Sequence, residues 1–182
     1  MYKFLTSLTR ILFKIFYKIE VNGEINLPEN SGYMICSNHI HMRDPILIAD
    51  FTKRPISFMS KKELIDMPII GWILTKCYAF PVDREKGDIA AIKTAINILK
   101  EGNVMSMFPE GTRHRDGNFH DLKKGAAMIA IKAGVPIVPV RVVGNYKFFT
   151  KLTLNIGEPI YYDGKNKDEL TDILYHEIEK LK

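Results

Sequence analysis

From Lys18 onward, short apolar runs alternate with segments of helical period, and that alternation limits the fold more than any other feature of the chain. Tyr33–Ser37, Ile56–Ser60, Tyr78–Val82, Val104–Phe108 and Pro136–Val140 read as strands of the buried, parallel kind. Between them, Ile89, Ile92, Ile96 and Leu99 make one helical stripe, opened by Asp88 as N-cap and closed by Gly102. A second helix is predicted over Leu122–Ala133, stopped by Gly134, and a last one carries Leu170, Ile173, Leu174, Ile178 and Leu181. Strands that alternate with helices connect by right-handed crossovers. The expected fold is α/β, with a mostly parallel central sheet flanked by helices on both faces.

Residues 1–19 have no Pro and no Gly, and Lys3, Ser7, Arg10, Lys14 and Lys18 fall on one helical stripe. Apolar side chains, among them Phe4, Leu8, Ile11, Phe13, Ile15 and Phe16, cover the rest. A narrow cationic stripe beside a wide apolar face predicts an amphipathic helix lying in a membrane interface. The competing reading is a core-packed helix whose basic stripe faces water. Charges interrupt the apolar stretch and no small-residue cleavage site follows, so a cleavable signal is not expected. The division of the chain is then 1–19 as the interface helix and 20–182 as one domain.

At 182 residues, one domain with a real core is expected. No run approaches the roughly 20 apolar residues that cross a bilayer. The longest, Met67–Thr75 and Ala133–Val140, have the size of core elements. Cys36 and Cys77 are too few for a disulfide scaffold or a zinc site, and fit a reducing compartment. Net charge is +5, but the first 20 residues hold four cations against Glu20 alone. The remaining chain is nearly neutral, which argues against a nucleic-acid partner.

Ligands of such sheets gather at the carboxyl ends of the strands. There the sequence places Asn38, His39 and Asp44, then Lys61 and Lys62, then Asp83 and Arg84, and finally Pro109, Glu110, Gly111, Thr112 and Arg113. His39 and Asp44 form an H-x4-D arrangement within NHIHMRDP. An imidazole that takes a proton from a hydroxyl needs its other nitrogen held, and a carboxylate does this. Asp44 before Pro45 also reads as a helix N-cap, and the two roles are compatible if one oxygen serves each. His41 is the rival base, without an obvious carboxylate. In FPEGTR, Phe108–Arg113, a glycine turn lets backbone approach an anion and Arg113 supplies a phosphate-matching fork. Cys36, three residues before His39, reads as a small core side chain rather than a nucleophile.

NHIHMRD followed some way downstream by FPEGTR resembles the glycerolipid acyltransferases, specifically the 1-acyl-sn-glycerol-3-phosphate acyltransferases. YAFPVDR, Tyr78–Arg84, is similar to that family's second motif, and VPIVPV, Val135–Val140, to its fourth. His41, where the family often has Ser, and Cys77, where a small residue is common, depart from the pattern. The resemblance implies His39 as general base, Asp44 as its orienting partner, and direct attack of an acceptor hydroxyl on an acyl thioester. Arg84 and the Glu110–Gly111–Thr112–Arg113 turn would hold the acceptor phosphate, with Lys61 added on charge and position. Glu110 is expected to orient Arg113. No metal or cofactor is implied; acyl-CoA or acyl carrier protein supplies the acyl group to lysophosphatidic acid. The partner surface is membrane lipid, and the expected location is peripheral, on the cytoplasmic side of the cell membrane. A different lysophospholipid or amino-acid-derived acceptor, and a silent lipid-binding module, remain the alternatives.

Overall fold

β2 (Tyr33–Ser37) lies at the centre of the sheet with all five residues buried. The computed structural model describes residues 1–182 apart from 24–26, 53, 84–87 and 115–118. The remaining strands are β1 (Lys18–Asn22), β3 (Ile56–Lys61), β4 (Ala79–Val82), β5 (Val104–Met107), β6 (Ile137–Gly144) and β7 (Lys151–Ile156). They form one seven-stranded sheet in the order β1-β7-β6-β2-β5-β3-β4. β6, β2, β5, β3 and β4 run parallel, while β7 is antiparallel to β6 and β1 is parallel to β7. The expected α/β fold is present, with the five expected strands as its parallel part.

β1 and β7 escaped the sequence reading for different reasons. β7 buries Leu152, Leu154 and Ile156 and leaves Thr153 and Asn155 between them half-buried. That period-2 alternation belongs to a half-covered antiparallel strand, not to the continuous apolar run of a parallel one. β1 continues the cationic spacing of the preceding helix, and nothing like Gly or Pro marks the break. The helix expected over 1–19 is therefore shorter: α1 runs Tyr2–Phe16, and Lys18 and Ile19 already pair with Lys151 and Leu152.

Side chains alternate across the sheet, so Tyr33 and Ile35 enter one core and Met34 and Cys36 the other. The first core is closed by α1 and α2 (Asp44–Phe51), the second by α5 (Ile89–Lys100), α6 (Gly125–Ala133) and α7 (Lys167–Lys180). Asp88 caps α5 by accepting from the Ala91 N–H at 2.9 Å, as expected. Two helices, α3 (Lys62–Ile65) and α4 (Pro68–Lys76), join β3 to β4. The Met67–Thr75 run is thus a helix, and its large side chains are exposed rather than buried in a core. Among the described residues, no helix is long and apolar enough to cross a membrane.

α1 does not turn its widest apolar face into the core. Tyr2, Leu5, Thr9 and Phe13 turn toward the body, yet only Phe13 is fully covered. Phe4, Leu8, Ile11 and Ile15 form the opposite, exposed stripe. The polar Thr9 bonds inward to Asp50 at 2.6 Å, while aromatic and aliphatic surface points out.

Candidate active site

Because β2 and β5 are neighbours, the loops that follow them meet at one edge of the sheet, although 71 residues separate His39 from Glu110. Glu110 is buried and reaches across: its Oε2 accepts the His39 backbone N–H at 2.8 Å, and its Oε1 accepts that of His120 at 3.2 Å. The His39 carbonyl accepts the His114 N–H at 2.9 Å. The backbone of His39 is thereby clamped on both sides by the segment that follows β5. Glu110 positions His39 in this way, and its two oxygens are committed there rather than to Arg113.

The His39 ring stacks on Phe108, with centroids 4.0 Å apart, and its Nδ1 lies 2.8 Å from Asp44 Oδ2. Asp44 is fully buried and opens α2, with Arg43 as the N-cap and no side-chain cap. The expected double role does not occur. Oδ2 also accepts the N–H groups of Ile40 at 2.8 Å and His41 at 2.7 Å, closing the His39–Asp44 turn on itself. Oδ1 accepts the hydroxyl of Tyr146 at 2.6 Å. Four donors surround the carboxylate; an ionised carboxylate only accepts, so this contact requires a neutral imidazole to carry its proton on Nδ1. Nε2 is left with its lone pair, the form a general base requires.

Tyr146 had no sequence signal, because its partner is distant and GNYKFF follows no pattern of the site. Burial and the adjacent Asp44 carboxylate push its hydroxyl well above the usual tyrosine range, so it stays a donor. Its ring stacks on His41 at 4.3 Å and meets Phe13 and Tyr17 edge-on. His41, the rival base, accepts the Arg43 N–H on its Nδ1 at 3.2 Å. Asn38 locks the end of β2 to β6 through paired bonds to the Val142 carbonyl (2.9 Å) and N–H (2.8 Å).

β3 and β5 pair only as far as Phe58 and Ser106, whereas β3 stays with β4 to Lys61–Val82 and β5 with β2 to Cys36–Met107. Where they part, a cleft of about 330 Å³ opens. Its walls are largely apolar, including Phe58, Met59, Val82, Ile92, Met107 and Ile129, and His39, Gly111 and Lys123 also line it. That is the size and character of a small-molecule site. Gly111 holds φ at +77°, a conformation that favours glycine at this turn. Lys123, which the motif reading passed over, lies against Gly111 and adds a cation to the cleft. Lys61, Thr112 and Arg113 are exposed and stand outside the lining, and Arg84 falls outside the described residues. Cys36 is wholly buried in the second core, with its thiol pushed far up by burial. It is poorly suited to attack an acyl group.

Comparison with known proteins then decides the family: the sequence family described as Acyltransferase matches residues 18–143. The chain belongs to the acyltransferases. A 1-acyl-sn-glycerol-3-phosphate acyltransferase of Bacillus subtilis is 36% identical over 167 residues, covering 88% of this chain and 83% of that protein. One from Streptococcus pneumoniae is 38% identical over 139 residues, covering 72% of this chain and 51% of its own length. The crystal structure of the 1-acyl-sn-glycerophosphate acyltransferase of Thermotoga maritima superimposes with a TM-score of 0.82 at 28% identity, covering 98% of this chain and 79% of that one. In this acyltransferase His39 lines the cleft, and the residues that hold it are Asp44 and Glu110.

Proposed function

We propose that this acyltransferase moves a fatty acyl group from a thioester to the free hydroxyl of 1-acyl-sn-glycerol 3-phosphate, giving phosphatidic acid for phospholipid synthesis. The observation that carries the reading is the 2.8 Å contact between His39 Nδ1 and the buried Asp44, with the same imidazole on an apolar cleft. The names of the relatives give the acceptor. His39 Nε2 takes the hydroxyl proton as the oxygen attacks the thioester carbonyl, and Asp44 stabilises the imidazolium that forms. The tetrahedral intermediate then collapses, the carbon–sulfur bond breaks, and the imidazolium returns its proton to the leaving sulfur as a thiol. The new ester and the free thiol account for every atom, and no acyl-enzyme is required.

The cleft walls suit acyl chain. On this reading Arg113, Lys61 and the turn from Glu110 through Gly111 and Thr112, together with Lys123 inside the cleft, would meet the acceptor phosphate, and Arg84 would join them. The donor is acyl-CoA or acyl carrier protein, and no cofactor is needed. The outward apolar stripe of α1 favours the interface-helix reading over the core-packed one, with the enzyme held on the cytoplasmic side of the membrane.

The test is thiol release from purified protein supplied with a long-chain acyl thioester and lysophosphatidic acid. Release that depends on the acceptor, with phosphatidic acid as product, is expected. Release only with another lysolipid would transfer the assignment to that acceptor, and no release with any lysolipid would overturn the reading.

A further inference from the structure

Right-handed crossovers fix which face each helix covers. β2 to β3 and β3 to β4 step the same way across the sheet, so α3 and α4 lie on the α2 side, the side that α1 also covers. β4 to β5 and β5 to β6 step back, which puts α5 and α6 on the other. The α1–α2–α4 side carries most of the exposed large apolar side chains among the described residues. On α4, Ile69 is 76% exposed and Trp72 55%, with Ile70 and Ile73 beside them. On α1, Phe4 is 70% exposed. Large exposed apolar patches bordered by polar residues mark interaction surfaces.

The two helices are physically joined. Tyr2, at the start of α1, contacts Tyr78, just past α4, with ring centroids 5.4 Å apart. Close packing of α4 on α3 sets its outward face: a Cβ at Gly71 would fall 1.8 Å from the Ile65 carbonyl oxygen, so the glycine is the inner side of the helix. At the other end of α1 the Phe149 N–H donates to the Phe16 carbonyl at 2.6 Å, and Phe148 touches Phe16. Both phenylalanines are exposed. The apolar strip thus extends beyond both ends of α1. Cations border it: Lys3, Arg10 and Lys14 on α1, and Lys61 and Lys76 around α3–α4, with Lys62 committed to Asp66 at 2.7 Å.

We propose that α4 is a second membrane-docking element, inserting Ile69, Trp72 and Ile73 into the interface of an anionic phospholipid bilayer while α1 lies alongside. The inference rests on the lysophospholipid reading, which gives such a surface its purpose. Apolar residues on an exposed helix, a tryptophan at its edge and bordering cations match a bilayer with negative headgroups. One helix alone would leave the molecule free to roll about its axis. Two linked helices fix a plane, and Met42 and Ile46, exposed beside the His39–Asp44 turn, lie on the same side.

Trp72 is the only tryptophan of the chain, so its fluorescence reports α4 directly. The intact protein is titrated with vesicles of phosphatidylglycerol and phosphatidylcholine. The expected result is a blue shift of emission, quenching by brominated acyl chains, and protection from aqueous iodide. Co-sedimentation with an unshifted, iodide-accessible Trp72 would overturn the role of α4 while leaving the anchoring by α1 in place. A blue shift that needs no lipid and grows with protein concentration would assign the face to a second copy, and also overturn it. The double variant Ile69→Asp, Ile73→Asp is expected to lose roughly tenfold or more in vesicle partitioning, with unchanged turnover of detergent-dispersed substrates; unchanged partitioning contradicts the proposal. Insertion of Trp72 without any thiol release would instead count against the enzymatic reading.

Discussion

The Tyr146 hydroxyl donates to Asp44 Oδ1 at 2.6 Å, on the carboxylate whose other oxygen holds His39. Three side chains therefore stand in line, and the third touches Phe13 of α1 and Tyr17 just past its end. Tyr146→Phe keeps the ring and deletes only the donor. Losing a charged, buried hydrogen bond costs about 1–3 kcal/mol of stability. Without that donor the carboxylate holds His39 less firmly in place. kcat is expected to fall with little change in either KM. An unchanged kcat in a folded variant would reduce Tyr146 to packing.

His39→Ala is expected to remain folded and to lose about 10²–10⁴-fold in kcat, the usual worth of a general base. Asp44→Asn is expected to lose less in rate but more in stability. Its amide oxygen can take the place of Oδ2, but the NH2 then replaces Oδ1 against the Tyr146 hydroxyl, and each charge-assisted hydrogen bond weakened or lost costs up to about 1.5–3 kcal/mol. The loss comes from the missing carboxylate charge, not from a helix cap. Paired melting curves and single-turnover rates check both; a fully active His39→Ala protein would end the mechanism.

Glu110 and Arg113 belong to one motif and are expected to fail differently. Glu110→Gln can still accept one N–H but presents a donor to the other, loosening the His39 backbone, so kcat falls while acceptor KM holds. Arg113→Ala is expected to raise the acceptor KM far more than the donor KM, by about 1.5–3 kcal/mol equivalent for a charged hydrogen bond to phosphate. Identical defects toward acceptors with and without a phosphate would contradict the Arg113 assignment.

Asp50 gives a pH signature of its own. Burial between α1 and α2 pushes its carboxyl up to about 6, opposed by the Thr9 hydroxyl and by Arg10, and one oxygen has no partner. A carboxyl raised in the folded state binds protons more readily folded than unfolded, so its ionisation works against folding. The cost is fully present above about pH 6 and fades as pH falls toward the ordinary aspartate range. The wild-type melting temperature is expected to rise from pH 8 to pH 5 relative to that of Asp50→Asn. Parallel curves for the two proteins would contradict the raised value.

Much of the site was legible because its residues lie at strand ends and the strands were legible. Continuous apolar runs named the five parallel strands, and once Tyr33–Ser37 and Val104–Phe108 were strands, His39 and Glu110 had to share an edge. What escaped was whatever depends on contacts distant in sequence. Tyr146 meets Asp44 across 102 residues, and nothing local marks it. The Glu110 partners are backbone groups, which a sequence does not label. Met67–Thr75 was apolar enough for a core, and only the packing of Gly71 on Ile65 reveals which way it faces.

The pairing of β1 with β7 has a consequence for how the protein is made. Lys18 must wait for Lys151 before its strand has a partner. At about 5–20 residues per second of synthesis, that delay is roughly 10 s, during which α1 and its outward apolar stripe have left the ribosome without the edge that later holds them. α1 is therefore made well before the strand that fixes its far end, and on the interface-helix proposal it can meet a bilayer while the sheet is still incomplete.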